Sequence, residues 1–192
     1  MTKQHNPNQT PPPPPYTRHI TTHDANGLAT IHSTVQPPFN PIDNDSMRFS
    51  VPFTTAQFPA DLNDDADIRA YEGMVAKGTM GLVSPSGTVC RVVDFAPAKA
   101  GTKGLMHRTQ SLDFGVVLEG RIEMWLDSGE MRVLEKGDIA VQRGTMHEWR
   151  NTSETEWVRM MFVLQGCREV EVGGKVVGED LGSETEIRAS RG

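Results

Sequence analysis

His107, Asp113 and His147 are the side chains best suited to move protons or bind a metal, and all three lie between Gly101 and Asn151. They fall in two spaced segments. The first is Gly101-x5-His107-x-Thr109-x3-Asp113-x6-Gly120; the second is Gly137-x5-Arg143-Gly144-x2-His147-x3-Asn151. Two neutral imidazoles and one carboxylate on a rigid scaffold can hold Zn²⁺ or Fe²⁺ with open positions. They can equally serve proton transfer, because burial beside apolar walls raises a carboxyl pKa toward working pH. Three roles are open to Asp113: ligand, general acid/base, or a carboxylate that orients a histidine.

The two segments resemble the paired motifs of the cupin superfamily, G-x5-H-x-H-x3/4-E-x6-G followed by G-x5-P-x-G-x2-H-x3-N. The resemblance implies a jelly-roll β-barrel. It also implies a divalent metal held by two histidines and a glutamate of the first motif with one histidine of the second. This chain departs in four ways: Thr109 replaces the second histidine, Asp113 the glutamate and Arg143 the proline, and one residue is missing before Gly144. The implied ligand set is thereby reduced to His107, Asp113 and His147. Zn, Fe, Mn and Ni all remain open as the metal, and so does a metal-free site. The longer match MHRTQSLDFGVVLEG…GDIAVQRGTMHEWRN resembles a branch of small cupins from fungal polyketide and other secondary-metabolite pathways.

Four further residues are candidates for binding substrate. Thr109 shares a strand face with His107 and can hydrogen-bond the substrate or a metal-bound water. Trp149 shares the face of His147, as a packing wall or a stacking surface for a planar substrate. Met161 and its neighbours Met160 and Phe162 can wall the cavity, although methionine runs more often fill cores. Arg91 lies among apolar neighbours; it either snorkels to the surface, the favoured reading, or reaches a substrate carboxylate.

The elements that must position these residues are strands. From residue 79 onward the hydrophobic period is two, in TVCRVVDF, FGVVLEG, RIEMWLD, MRVLEKG, DIAVQRG, HEWRN and WVRMMFVLQG. Close punctuation by Gly, Asp-Ser-Gly and Asn-Thr-Ser argues for an all-β barrel or sandwich over 79–178. One more strand is expected around Val170, Val172, Val176 and Val177. Upstream, HITTH and LATIH flank Asp24-Ala25-Asn26-Gly27, a hairpin signal. Met47 to Phe58 reads as extended, with Phe49, Val51 and Phe53 on one face. Asp61, Asp64, Asp65, Asp67 and Glu72 mark a short helix or an acidic loop; the EF-hand spacing is absent. Residues 17–78 are therefore expected to form a hairpin and arm packed on the barrel.

The ends read as tails. Pro11 to Pro15 remove amide donors and fix a polyproline II path, so 1–16 is expected to be disordered. Residues 179–192 are polar and expected to fray. His19, His23 and His32 are read as surface residues, and Cys90 and Cys167 as small buried hydrophobes.

The net charge is -6, which favours neither nucleic acid nor an anionic membrane. No apolar run reaches bilayer-spanning length and the N-terminal residues lack a secretory pattern, so a cytoplasmic protein is expected. A homodimer is expected by fold-level analogy, through sheet edges or an exchanged hairpin at 18–33. The leading functional expectation is a lyase or isomerase, a dehydratase or decarboxylase, acting on a polyketide-like or aromatic metabolite. The alternatives are a non-haem Fe(II) oxygenase and a non-catalytic binding or structural cupin.

Overall fold

The computed structural model describes residues 7–78, 80–99, 101–183 and 185–190. In chain order the strands are β1 (Arg18–His23), β2 (Ala29–Val35), β3 (Asn40–Ile42), β4 (Met47–Thr54), β5 (Thr88–Phe95), β6 (Ser111–Glu119) and β7 (Ile122–Leu126). They continue as β8 (Met131–Leu134), β9 (Ile139–Arg143), β10 (His147–Arg150), β11 (Val158–Gly166), β12 (Val170–Val172) and β13 (Lys175–Val177). One helix, α1 (Ala66–Lys77), precedes β5. The expected all-β class is what the chain adopts.

The working frame is a pair of antiparallel sheets. The larger has strand order β3-β4-β5-β11-β6-β9, the smaller β10-β7-β8. Their inner faces share one core, with Val89, Val93, Met160 and Phe162 from the larger sheet and Ile122, Leu134 and Trp149 from the smaller. Burying such aliphatic and aromatic surface stabilises by roughly 25 cal/mol per Å². The sheet-on-sheet arrangement is the jelly-roll expected from the paired motifs.

The barrel begins earlier than residue 79. β3 pairs with β4, and β4 pairs with β5, so residues from Asn40 onward belong to the large sheet and not to an arm. A register shift between Ser50 and Phe53 interrupts β4. The extra residue breaks the period of two. Phe49 therefore sits opposite Val93 on the inner side, while Phe53 sits opposite Cys90 on the outer side. The expected common face of Phe49, Val51 and Phe53 is split, and Phe53 stacks instead on Tyr71 of α1 at 4.9 Å.

The hairpin forms as expected. Asp24 Oδ1 accepts from the amides of Asn26 and Leu28, and Gly27 takes the positive φ of 77° that the turn requires. Arg18 ties β1 to the helix by donating to Tyr71 Oη (2.7 Å) and to the Pro52 carbonyl (2.9 Å). His19 pairs with Thr34 across the hairpin, 3.0 Å. The acidic stretch leads into α1, whose Ile68 and Tyr71 are buried. The segment expected after Gly166 is a small hairpin, β12 and β13, turning at Gly173 and Gly174.

Neither tail is loose where it is described. Residues 1–6 of the expected disordered tail lie outside the described residues. From residue 7 the chain runs along the barrel, where the Thr10 amide donates to the Thr155 carbonyl at 2.8 Å. Arg159 donates to the carbonyls of Pro14 (2.7 Å) and Pro13 (3.2 Å). A polyproline II path makes no internal hydrogen bonds, so its carbonyls are free to accept from such a partner. At the other end, Arg108 and Asp180 form a β-bridge, and Leu181 and Ile187 pack on the core. Asp43 clasps that segment, accepting from Thr185 Oγ1 (2.9 Å) and the Glu186 amide (2.6 Å). Both docked segments correct the expectation of free tails. No helix among the described residues is long and apolar enough to cross a membrane.

Candidate active-site cavity

Between the sheets lies a cavity of about 530 Å³. Its polar lining includes Arg91, His107, Thr109, Asp113, Gln142 and His147, and its apolar walls include Phe49, Leu82, Val93, Trp149, Phe162 and Leu164. The two motifs therefore meet in one place. His107 and His147 exchange backbone hydrogen bonds of 2.9 Å in an isolated antiparallel bridge, which brings their rings to 4.3 Å. Gly104 lies against β10: its amide donates to the Glu148 carboxylate, and a side chain there would collide with the Trp149 carbonyl.

Both imidazoles are held in one tautomer. Nδ1 of His107 donates to the Leu105 carbonyl (3.0 Å), and Nδ1 of His147 donates to the Thr145 carbonyl (2.9 Å). A carbonyl only accepts, so each Nδ1 carries the proton and each Nε2 keeps a lone pair. Burial lowers the pKa of both; for His147 it falls to about 3, with the neighbouring His107 adding to the effect. Both rings are neutral at physiological pH.

Asp113 behaves oppositely. Burial pushes its pKa up to about 6, against the Thr109 hydrogen bond and the nearby Ser111 hydroxyl, which lower it. Ser111 Oγ donates to Thr109 Oγ1 (2.9 Å), and Thr109 Oγ1 donates to Asp113 Oδ2 (3.1 Å). Thr109, expected to touch substrate or a metal-bound water, spends its hydroxyl on holding Asp113. Asp113 Oδ1 is buried and has no protein partner, and neither has Gln142 Nε2. These residues face each other in the β6–β9 register. Buried polar atoms are nearly always satisfied, so two adjacent orphans in a cavity mark where a ligand belongs.

The expected metal set does not assemble. Among the described residues, no three His, Cys, Asp or Glu side chains are gathered so as to hold a metal ion. The reason lies in two substitutions. Threonine at 109 removes one imidazole, and Asp113, a methylene shorter than glutamate, is drawn toward Thr109. The two-histidine, one-carboxylate set is therefore not gathered as a three-ligand group among the described residues.

The remaining candidates divide. Trp149 lines the cavity as expected, edge-on to Phe162 with ring centroids 5.6 Å apart. Met161 does not line it: β11 turns Met160, Phe162 and Leu164 toward the core and Met161 to the other face, opposite Val92. Arg91 does not snorkel; it is buried at 7% exposure and lines the cavity. Its period-two alignment with Val89, Val93 and Phe95 carries that signal in the sequence. Gln142 is absent from the sequence-based candidates because β9 inverts the usual pattern. Ile139 and Val141 are exposed, while Ala140 and Gln142 are buried.

The Cupin domain family model matches residues 91–164, the stretch that builds most of this cavity. Phomopsin biosynthesis cluster protein D of Diaporthe leptostromiformis is 44% identical over 163 residues, covering 84% of each chain. Oryzines biosynthesis cluster protein J of Aspergillus oryzae is 38% identical over 166 residues, covering 86% of this chain and 90% of that one. The cupin-domain-containing oxidoreductase fogC of Aspergillus ruber is 39% identical over 170 residues, covering 86% and 80%. With the motif residues converging on one cavity and relatives matched along most of its length, this chain belongs to the cupin-domain family, alongside proteins of fungal biosynthesis clusters.

Proposed function

We propose that this protein is a small-molecule enzyme of secondary metabolism that works by proton transfer, of the isomerase or lyase type. The observation that carries the reading is the facing pair of orphans, Asp113 Oδ1 and Gln142 Nε2. A carboxylate with a pKa of about 6 is well matched to take a proton near neutrality and return it. Gln142 offers an N–H to the oxygen on which charge develops, as in an enolate or a departing hydroxyl. His147, with its pKa lowered to about 3, is too weakly basic to take the proton, and burial lowers the basicity of His107 as well. Their Nε2 lone pairs instead accept from a substrate hydroxyl and fix its orientation. The apolar walls exclude water and suit a polyketide-like or aromatic body.

A second reading is supported by the names of relatives. fogC of Aspergillus ruber, and the srdB and virC proteins at 34% identity, are named cupin-domain-containing oxidoreductases. One experiment separates the two. The D113N allele is placed in the producing organism, and the accumulating precursor is compared by mass with the lost product. An isomer, or a precursor heavier by one water or one carbon dioxide, supports proton-transfer chemistry. A difference of two hydrogens or one oxygen supports the oxidoreductase reading. An unchanged product profile discards both.

A further inference from the structure

We infer that the substrate carries a carboxylate and that Arg91 binds it, at the end of the cavity away from Asp113. The inference rests on reading this cavity as a substrate site. Arg91 projects from β5 into the cavity, 7% exposed, with its guanidinium 5.0 Å above the Phe49 ring. Nη2 donates to the Gly81 carbonyl at 2.9 Å. Among the described residues, the buried Nε has no protein acceptor, and no carboxylate forms an ion pair with Arg91.

Arg159 makes the contrast. It is equally buried, and Asp94 meets it with two hydrogen bonds of 2.6 and 2.9 Å. A buried cation without a counterion is strongly penalised, because the water it has lost is not replaced. The structure compensates this cost at Arg159 and leaves it open at Arg91, on a cavity wall. A planar fork with an unused N–H matches a carboxylate better than a compact point charge.

The sheet sets the size of the molecule. Arg91 pairs with Phe162 of β11, and Asp113 lies on β6, the strand beyond β11. Two strand spacings separate the backbones of β5 and β6 by about 10 Å. Gly115, opposite Phe162, contributes no side chain between them. The bound molecule is thus an acid with an apolar, ring-sized body over Phe162 and Trp149. Its carboxylate sits on Arg91 and its reacting carbon near Asp113.

Calorimetric titration of the full-length protein with 2-naphthoate and with the neutral 2-naphthamide tests this. Wild type is expected to bind the acid at least tenfold more tightly than the amide. Arg91→Met should abolish the preference, and Arg91→Lys should retain part of it. Without ligand, Arg91→Met should melt no lower than wild type, because an uncompensated charge has been removed. No preference in wild type, including no binding of either probe, overturns the inference. So does a preserved preference in Arg91→Met, or a large loss of its stability. Asp113→Asn should keep the preference. If that variant also keeps full activity, only the proton-transfer reading falls; if wild type shows no preference while Asp113→Asn is inactive, only the carboxylate inference falls.

Discussion

Asp113 and Gln142 stand opposite each other across the β6–β9 pair, and each ends in a buried atom that no protein group satisfies. The fold holds this arrangement at a cost, and the cost depends on pH. The Asp113 pKa is raised from 3.8 to about 6. Its protonated form is therefore the one the folded state favours. The associated stability is fully present below the unfolded pKa and is lost as pH rises through the folded value.

Asp113→Asn should accordingly be more stable than wild type above about pH 6, by roughly 2 to 3 kcal/mol for a shift of this size. Below the ordinary carboxyl pKa the difference should close. Urea denaturation at both ends of this window measures it. A gap that stays constant with pH would mean that Asp113 is not ionised at a cost. Because the same residue is the proposed base, the stabilised variant should lose at least about 100-fold in turnover.

Thr109 lines the cavity and donates to Asp113 Oδ2, which makes it a positioning residue in the proposed mechanism. Thr109→Val removes a hydrogen bond that favours the ionised form. The midpoint of the pH–rate profile, expected near the Asp113 value of about 6 in wild type, should move upward. Thr109→Ser should restore it. A fall in rate with an unmoved midpoint would assign Thr109 to packing alone.

The donor set makes a prediction about metal. Two Nε2 lone pairs on His107 and His147 are available, and among the described residues no third His, Cys, Asp or Glu completes a metal-holding group. Dialysis against a strong chelator should leave the melting temperature and turnover unchanged. Elemental analysis of untagged protein should find no stoichiometric metal. A tightly held ion lost together with activity would require a ligand arrangement other than the one this fold presents.

Much of this site is legible in the amino-acid sequence. The spacing of Asp113 and His147 places them on strands, with His107 reaching His147 through an isolated bridge, and the period of two places Trp149 beside His147. What is illegible depends on contacts between distant segments. Gln142 becomes notable only when β9 is registered against β6, and its strand turns its larger apolar residues outward. The bulge in β4 cannot be seen in MRFSVPFT, where strict alternation looks intact. Arg91 is the exception, since its alignment with Val93 and Phe95 points inward, against the surface reading. The docked tails depend on partners more than a hundred residues away, Arg159 for Pro13 and Pro14 and Asp43 for Thr185.

Asp94 offers the sharpest test of that last dependence. It is fully buried and is ion-paired to both Arg159 and Arg48, and Arg159 also holds the Pro13 and Pro14 carbonyls. Asp94→Asn would leave the Arg159 guanidinium, 6% exposed, without its counterion. Breaking a buried pair from one side costs about 3 to 5 kcal/mol, because the remaining charge is stranded. Arg159→Met should cost a similar amount by stranding Asp94, although Arg48 still faces it. The double variant should recover part of the loss, since neither charge then lacks a partner for want of the other. Urea denaturation of the four proteins gives that coupling. Limited proteolysis with chymotrypsin supplies a second readout: both Arg159 variants should be cut faster after Tyr16, because the Pro13–Pro14 segment loses its donor, while Asp94→Asn should be cut more slowly than they are. Equal cleavage in all four would mean that this segment is held without Arg159, by the Thr10 amide on the Thr155 carbonyl and by the hydrogen bond between the Tyr16 and Ser50 hydroxyls (2.7 Å).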